Sequence, residues 1–186
     1  FDIVQGLGSS YDTGRFVAPG FVVDTWKLWE WLITTGVRLG NITRKVFPQN
    51  SISFGYKETT AKRYIVNVFP DIEVMTEENQ MLPLYLVDAK YKLLKNSSTG
   101  EIERDDLYEA FAFCSATDTK EIVLVYPMDT PTEIPGEVKK CSTYYIKDVM
   151  VHVIQASFGS MREKGGIYTF AVSYTHLRAH ETVLDL

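Results

Sequence analysis

The order of apolar and polar positions divides the chain into a leading amphipathic helix, a run of strands, a second helix and more strands. Over residues 22–39, Val22, Trp26, Trp29, Ile33 and Val37 recur at helical spacing and form one stripe. Asp24 or Thr25 stands where a cap is needed. Glu30 falls at the edge of the stripe, where a half-buried carboxylate requires a cation, either a basic side chain or a metal. Ile52, Phe54 and Tyr56 then alternate with polar residues. Tyr64, Val66 and Val68 alternate again, in a strand that the pattern carries through Phe69 to Met75. Residues 77–80 (EENQ) are polar and turn-like, and 84–92 (LYLVDAKYK) form a third strand. After the loop at 96–100, Asp105 or Asp106 caps a helix to Ala116 that gathers Leu107, Ala110, Phe111 and Cys114 on one face. The continuous apolar run at 121–126 (EIVLVY) suits a central strand covered on both faces. A Pro-rich loop occupies 127–136, and 143–146, 149–154 and 167–171 are further short strands. This order predicts a single α/β domain built on a mixed sheet flanked by helices.

Composition narrows the class. The 186 residues are 45% hydrophobic and 23% charged, enough for a folded core. No apolar run approaches the ~18 residues of a membrane span. Two cysteines, Cys114 and Cys141, suit a reducing cytoplasm rather than a disulfide scaffold. A net charge of −5 argues against a free-standing basic nucleic-acid binder, but not against a DNA enzyme delivered by a partner.

The two ends read differently from the middle. Residues 1–20 are Gly-rich and polar, a linker or the end of an upstream domain, and GLGSS lacks the Lys-Ser/Thr ending of a phosphate loop. Residues 172–182 (VSYTHLRAHET) resemble a translated sequencing adapter, so 172–186 are set aside as non-native and the domain is placed at 21–171. That removes His176, His180 and Glu181, whose spacing would otherwise suggest zinc, and leaves His152, a structural histidine in a Val-rich strand.

The chemistry concentrates in Pro70-Asp71 and Asp88-Ala89-Lys90. The chain holds three acidic-x-Lys strings, at 88–90, 118–120 and 137–139. Only the first lies inside an apolar strand, where unpaired charges are expensive. A hairpin turn centred on Asn79-Gln80 places Asp71 opposite Asp88, with Cβ atoms ~5 Å apart, and Lys90 shares that face. Two facing carboxylates repel unless a cation separates them or one keeps its proton. Mg2+, with Mn2+ as a substitute, suits such oxygen ligands: Asp71, Asp88, the Ala89 carbonyl and Glu30. Lys90 would orient or help activate an attacking water. The plainer alternative is a hairpin-end ion-pair cluster of Asp71, Asp88 and Lys90.

These residues resemble the PD-(D/E)XK nuclease superfamily, and within it the McrC-type nuclease subunit of McrBC restriction systems. The similarity runs over residues 22–127: Glu30 on the leading helix, Pro70-Asp71, the DAKYK strand, Asp106–Glu109 on the second helix, and the strand ending Val125-Tyr126-Pro127. Glu109 stands where the family has Gln, and Phe113 where related nucleases often have Tyr, so a supporting role for Glu109 competes with capping-box pairing to Asp106. The resemblance implies a restriction-endonuclease-like core, Mg2+-dependent phosphodiester hydrolysis in DNA carrying modified cytosine, and an AAA+ GTPase motor as partner. Rival expectations are a motor-independent repair or resolvase nuclease and an inactive interaction module. Arg44-Lys45 and Lys62-Arg63 are candidate phosphate contacts, with simple solvation as the alternative.

Overall fold

The computed structural model describes residues 24–77, 82–130, 134, 136–157, 161 and 165–181. The expected leader at 1–20, Val22 and the Asn79-Gln80 turn lie outside them. Helix α1 (Thr25–Gly40) buries Trp29, Ile33 and Val37, as its spacing requires, together with Leu32. Trp26 departs from the expected stripe: it is half-exposed and borders an open cavity at the end of the sheet instead of the core. Asp24 takes the N-cap position and forms an ion pair with Lys27 at 2.8 Å.

Strands β1 (Val46–Pro48), β2 (Ile52–Glu58), β3 (Arg63–Val68), β4 (Ile72–Met75) and β5 (Pro83–Ala89) come next. The strand expected from Tyr64 to Met75 is two strands. Pro70 has no N–H and biases Phe69 away from regular pairing, so the chain breaks between them. β3 pairs only with β2 in a separate two-stranded ribbon, whereas β4 enters the main sheet. Helix α2 (Arg104–Thr117), β6 (Glu121–Pro127), β7 (Val138–Ile146), β8 (Val149–Ala156) and helix α3 (Gly166–Glu181) complete the described chain.

The main sheet has the order β1-β4-β5-β6-β8-β7. β5, β6 and β8 run parallel and the remaining pairs are antiparallel, which makes the sheet mixed, as the element order implied. β6 is central and buried on both faces. Ile122, Leu124 and Tyr126 join Ala110, Phe113 and Cys114 beneath α2, while Val123 and Val125 join Trp29, Ile33 and Phe170 beneath α1 and α3. Among the described residues no helix is long and apolar enough to cross a membrane.

The expected strand at 167–171 is instead the first half of α3. A short apolar run fits either period, and Phe170 followed by Tyr174 is the helical one. α3 continues through the residues set aside as adapter-like. Its Tyr174 is buried, stacks on Phe170 at 5.9 Å and meets Tyr85 at 6.4 Å. Gly36 of α1 is the close-approach point of this packing, because a Cβ there would overlap the Phe170 ring. Gly36→Ala is therefore expected to destabilise the fold by about 1–3 kcal/mol through overpacking. Urea denaturation checks this; an unchanged midpoint would show that α3 is not docked on α1.

Candidate functional site

The β4–β5 register pairs Ile72 with Val87, Glu73 with Leu86 and Val74 with Tyr85. Continued by one position, it sets Asp71 opposite Asp88, as the hairpin pattern expects. Asp71 sits in the break just before β4 and is held from two sides. Its Oδ2 accepts the Ala89 N–H at 2.8 Å, and its carbonyl accepts the Gln49 N–H at 2.8 Å. Its carboxyl lies near enough to that of Asp88 for each to affect the other's ionisation. Asp88 and Lys90 lie at the carboxyl end of parallel strands β5 and β6, the edge at which α/β sheets carry their sites. β5 stops at Ala89 rather than at 92, and the Lys90 N–H still donates to the Val125 carbonyl at 2.9 Å.

Lys90 gathers the acidic groups. Its Nζ lies 2.5 Å from Asp88 Oδ2, 2.6 Å from Glu109 Oε2 and 3.9 Å from Asp106 Oδ1. This revises two expectations for α2. Glu103, not Asp105 or Asp106, takes the N-cap position. Asp106 is buried and receives the Tyr126 hydroxyl at 2.7 Å and Lys92 Nζ at 2.8 Å. Glu109 is thus no capping-box partner of Asp106; it turns to Lys90 and adds an ion pair at this point. Phe113 is buried in the core under α2. Tyr126→Phe is expected to destabilise the fold by about 1.5–3 kcal/mol, since it removes a buried hydrogen bond to a charged acceptor; chemical denaturation reads the effect, and an unchanged midpoint would show that water replaces the hydroxyl.

Glu30, Asp71, Asp88, Ala89, Lys90 and Glu109 all line one cavity of about 440 Å3. Glu30 reaches it from α1 and accepts a hydrogen bond from Gln49 Nε2 at 2.6 Å. The electrostatics there are unfavourable to anions. Burial holds Glu30 above the usual carboxylate range, and Asp88 adds repulsion. Burial also raises Asp71, in spite of the hydrogen bonds it accepts. Asp88 is pushed up to about 7, first by burial and then, against the pull of Lys90, by Asp71. Burial alone would lower Lys90, but Asp88 and Glu109 outweigh it and hold the ammonium above the ordinary lysine range. Three carboxylates resisting ionisation around one cavity are the signature of a place that favours added positive charge. Among the described residues no three His, Cys, Asp or Glu side chains close into a cage. Two facing carboxylates with an open side are the donor set Mg2+ takes when it keeps waters and a substrate oxygen.

Sequence patterning missed Asp106 as an acceptor, along with Lys92, Tyr126, Gln49 and the rim aromatics Trp26 and Tyr91. The available signal was the apolar setting of Tyr126, a buried hydroxyl that demands an acceptor. His152 lies apart from the cavity residues, buried between Thr143 at 3.1 Å and Glu121 at 3.7 Å. Arg44 is engaged by Glu77 at 3.3 Å.

A family model described as McrBC 5-methylcytosine restriction system component matches residues 3–127. No curated protein sequence matches the chain. Among solved structures, a chain of the Thermococcus gammatolerans tetradecameric assembly of McrB AAA+ hexamers with bound McrC superposes with a TM-score of 0.59 at 14% identity. The match covers 86% of this chain and 34% of that one, so the present chain spans about a third of its length. The shared fold is the restriction-endonuclease-like α/β core.

Proposed function

Because the chain belongs to the McrBC 5-methylcytosine restriction system component family, we propose that it carries the metal-dependent endonuclease site of such a system, of the PD-(D/E)XK kind. The observation that supports this most is the convergence of Asp71, Asp88 and Lys90 on one cavity, with each carboxylate held above its normal range.

Asp71 and Asp88 would hold a Mg2+ ion beside the Ala89 carbonyl, while Glu30 adds negative charge to the same cavity without closing a three-carboxylate cage. Such an ion polarises a phosphodiester and lowers the pKa of a bound water. The chain's own residues do the rest. Lys90, whose ammonium Asp88 and Glu109 hold above the ordinary lysine range, would act as a donor that orients the attacking water and stabilises the charge growing on the phosphate. Glu109 and Asp106 restrain its Nζ, while Tyr126 and Lys92 fix Asp106. The acidic balance of the chain suits a division of labour, in which an AAA+ GTPase motor recognises and moves the modified DNA.

The test is nicking of a supercoiled, cytosine-methylated plasmid in Mg2+ or Mn2+, with the AAA+ partner and GTP present. The expected result is metal-dependent cleavage that EDTA and Asp88→Ala both abolish. Cleavage by Asp88→Ala at the parental rate, or none by the folded parent, would overturn the assignment.

A further inference from the structure

The β2–β3 ribbon is not explained by the core. Its strands pair only with each other, it leans on α2, and its large side chains are left in solvent: Tyr56 is 58% exposed, Tyr64 45% and Ile65 72%. An isolated exposed hairpin of this kind is marginal unless something covers it. Its charge differs from that of the chain. Lys57, Lys62 and Arg63 stand against the single carboxylate of Glu58, in a protein of net −5.

Cations and aromatics are interleaved on both faces. Lys57 lies directly opposite Tyr64, and Lys62 Nζ sits 4.6 Å from the centre of the same ring. On the other face Arg63 rests 4.0 Å over Tyr56 while also pairing with Glu58 at 3.3 Å. The base of the ribbon is anchored at the cavity. Gln49, just before β2, holds both Asp71 and Glu30, and Asp71 lies just beyond β3, after Phe69-Pro70. A seven-residue strand spans about 20 Å, roughly six base steps at 3.4 Å each.

We propose that this ribbon is a DNA-backbone contact of the nuclease site, with Lys57 and Lys62 on phosphates and Tyr64 packed against the sugar or base between them. The inference rests on the nuclease reading above and names the element that would align the duplex with it. Positive charge beside exposed aromatics favours a polyanion with flat faces, and the anchor at Asp71 makes the scissile phosphate and the ribbon contacts parts of one path.

The experiment is fluorescence anisotropy of the full chain with a labelled 30-base-pair duplex in Ca2+, which withholds cleavage, across a salt series. Lys57→Ala/Lys62→Ala is compared with the parent, and circular dichroism checks folding. The expected result is about ten-fold weaker binding and a salt slope shallower by about 1.8, corresponding to two lost phosphate contacts. Unchanged affinity and slope would overturn the proposal, as would a parent that binds no duplex; a ribbon that instead docks a protein gives the first of these results. If the parent cleaves DNA while the variant binds unchanged, only the ribbon assignment falls. If the ribbon result appears but the parent cleaves nothing in Mg2+, the nuclease reading falls and the DNA surface stands.

Discussion

Lys90→Ala is expected to slow plasmid nicking by about 10²–10³-fold while leaving a folded protein, the loss typical of one preorganised donor at a developing oxyanion. Its ammonium is the cation within 3 Å of Asp88, and it is restrained by Glu109. Its removal leaves Asp88 beside Asp71 without that counter-charge, so Asp88 keeps its proton more firmly in the metal-free protein and the fold survives. Lys90→Arg should not restore the rate: it keeps the charge, but a planar fork does not fit the place of a point donor. Single-turnover rates measured beside DNA affinity separate the roles. A loss of rate at constant affinity is the expected pattern. Retention of more than about a third of the parental rate by Lys90→Ala, against the losses typical of such donors, would remove Lys90 from the catalytic set.

The second large effect runs the other way. Asp88→Asn is expected to abolish cleavage yet stabilise the metal-free protein by about 2–4 kcal/mol above pH 7, on the scale of some three pKa units at about 1.4 kcal/mol each. In the folded chain Asp88 holds its proton up to about pH 7, whereas an unfolded Asp releases it near pH 4. The raised group thus gives its full stability below about pH 4 and loses it as the pH climbs through 7. Asn carries no such loss, so the gap between variant and parent opens across that window. Denaturation in EDTA at pH 5 and pH 8 is the check. An Asn variant no more stable than the parent at pH 8, or an equal gap at both pH values, would mean that Lys90 already compensates Asp88 in full. Trading stability for function in this way is the usual cost of a charged active site.

Much of this site was legible because its parts are periodic. The β4–β5 register follows from a two-residue period, so Asp71 and Asp88 could be set opposite each other from spacing alone. Helical period placed Trp29, Ile33 and Val37 inside. The failures fall where local pattern is silent. Nothing along the chain says that β3 and β4 belong to different sheets, because the alternation runs unbroken from Tyr64 to Val68 and only Pro70 interrupts it. Asp106 matches a cap by position and a buried acceptor by environment, and the partner that decides, Tyr126, is twenty residues away. Phe170 reads as part of a strand until α1 offers it a face with glycine at its point of closest approach.

The place of β6 in the sheet has a further consequence. The segment shared with the family ends at Pro127, the last residue of β6. Every residue named in the cavity precedes that point, yet within the segment β6 is paired on one side only, by β5, and β8 supplies the other side from outside it. Cut at that boundary, the chain would present the apolar stretch Ile122–Tyr126 as a raw edge with an open hydrogen-bonding ladder, a template for aggregation. In this chain β8 seals that seam along the whole of β6. A tag or fusion placed directly after Pro127 would cost the sheet that seal.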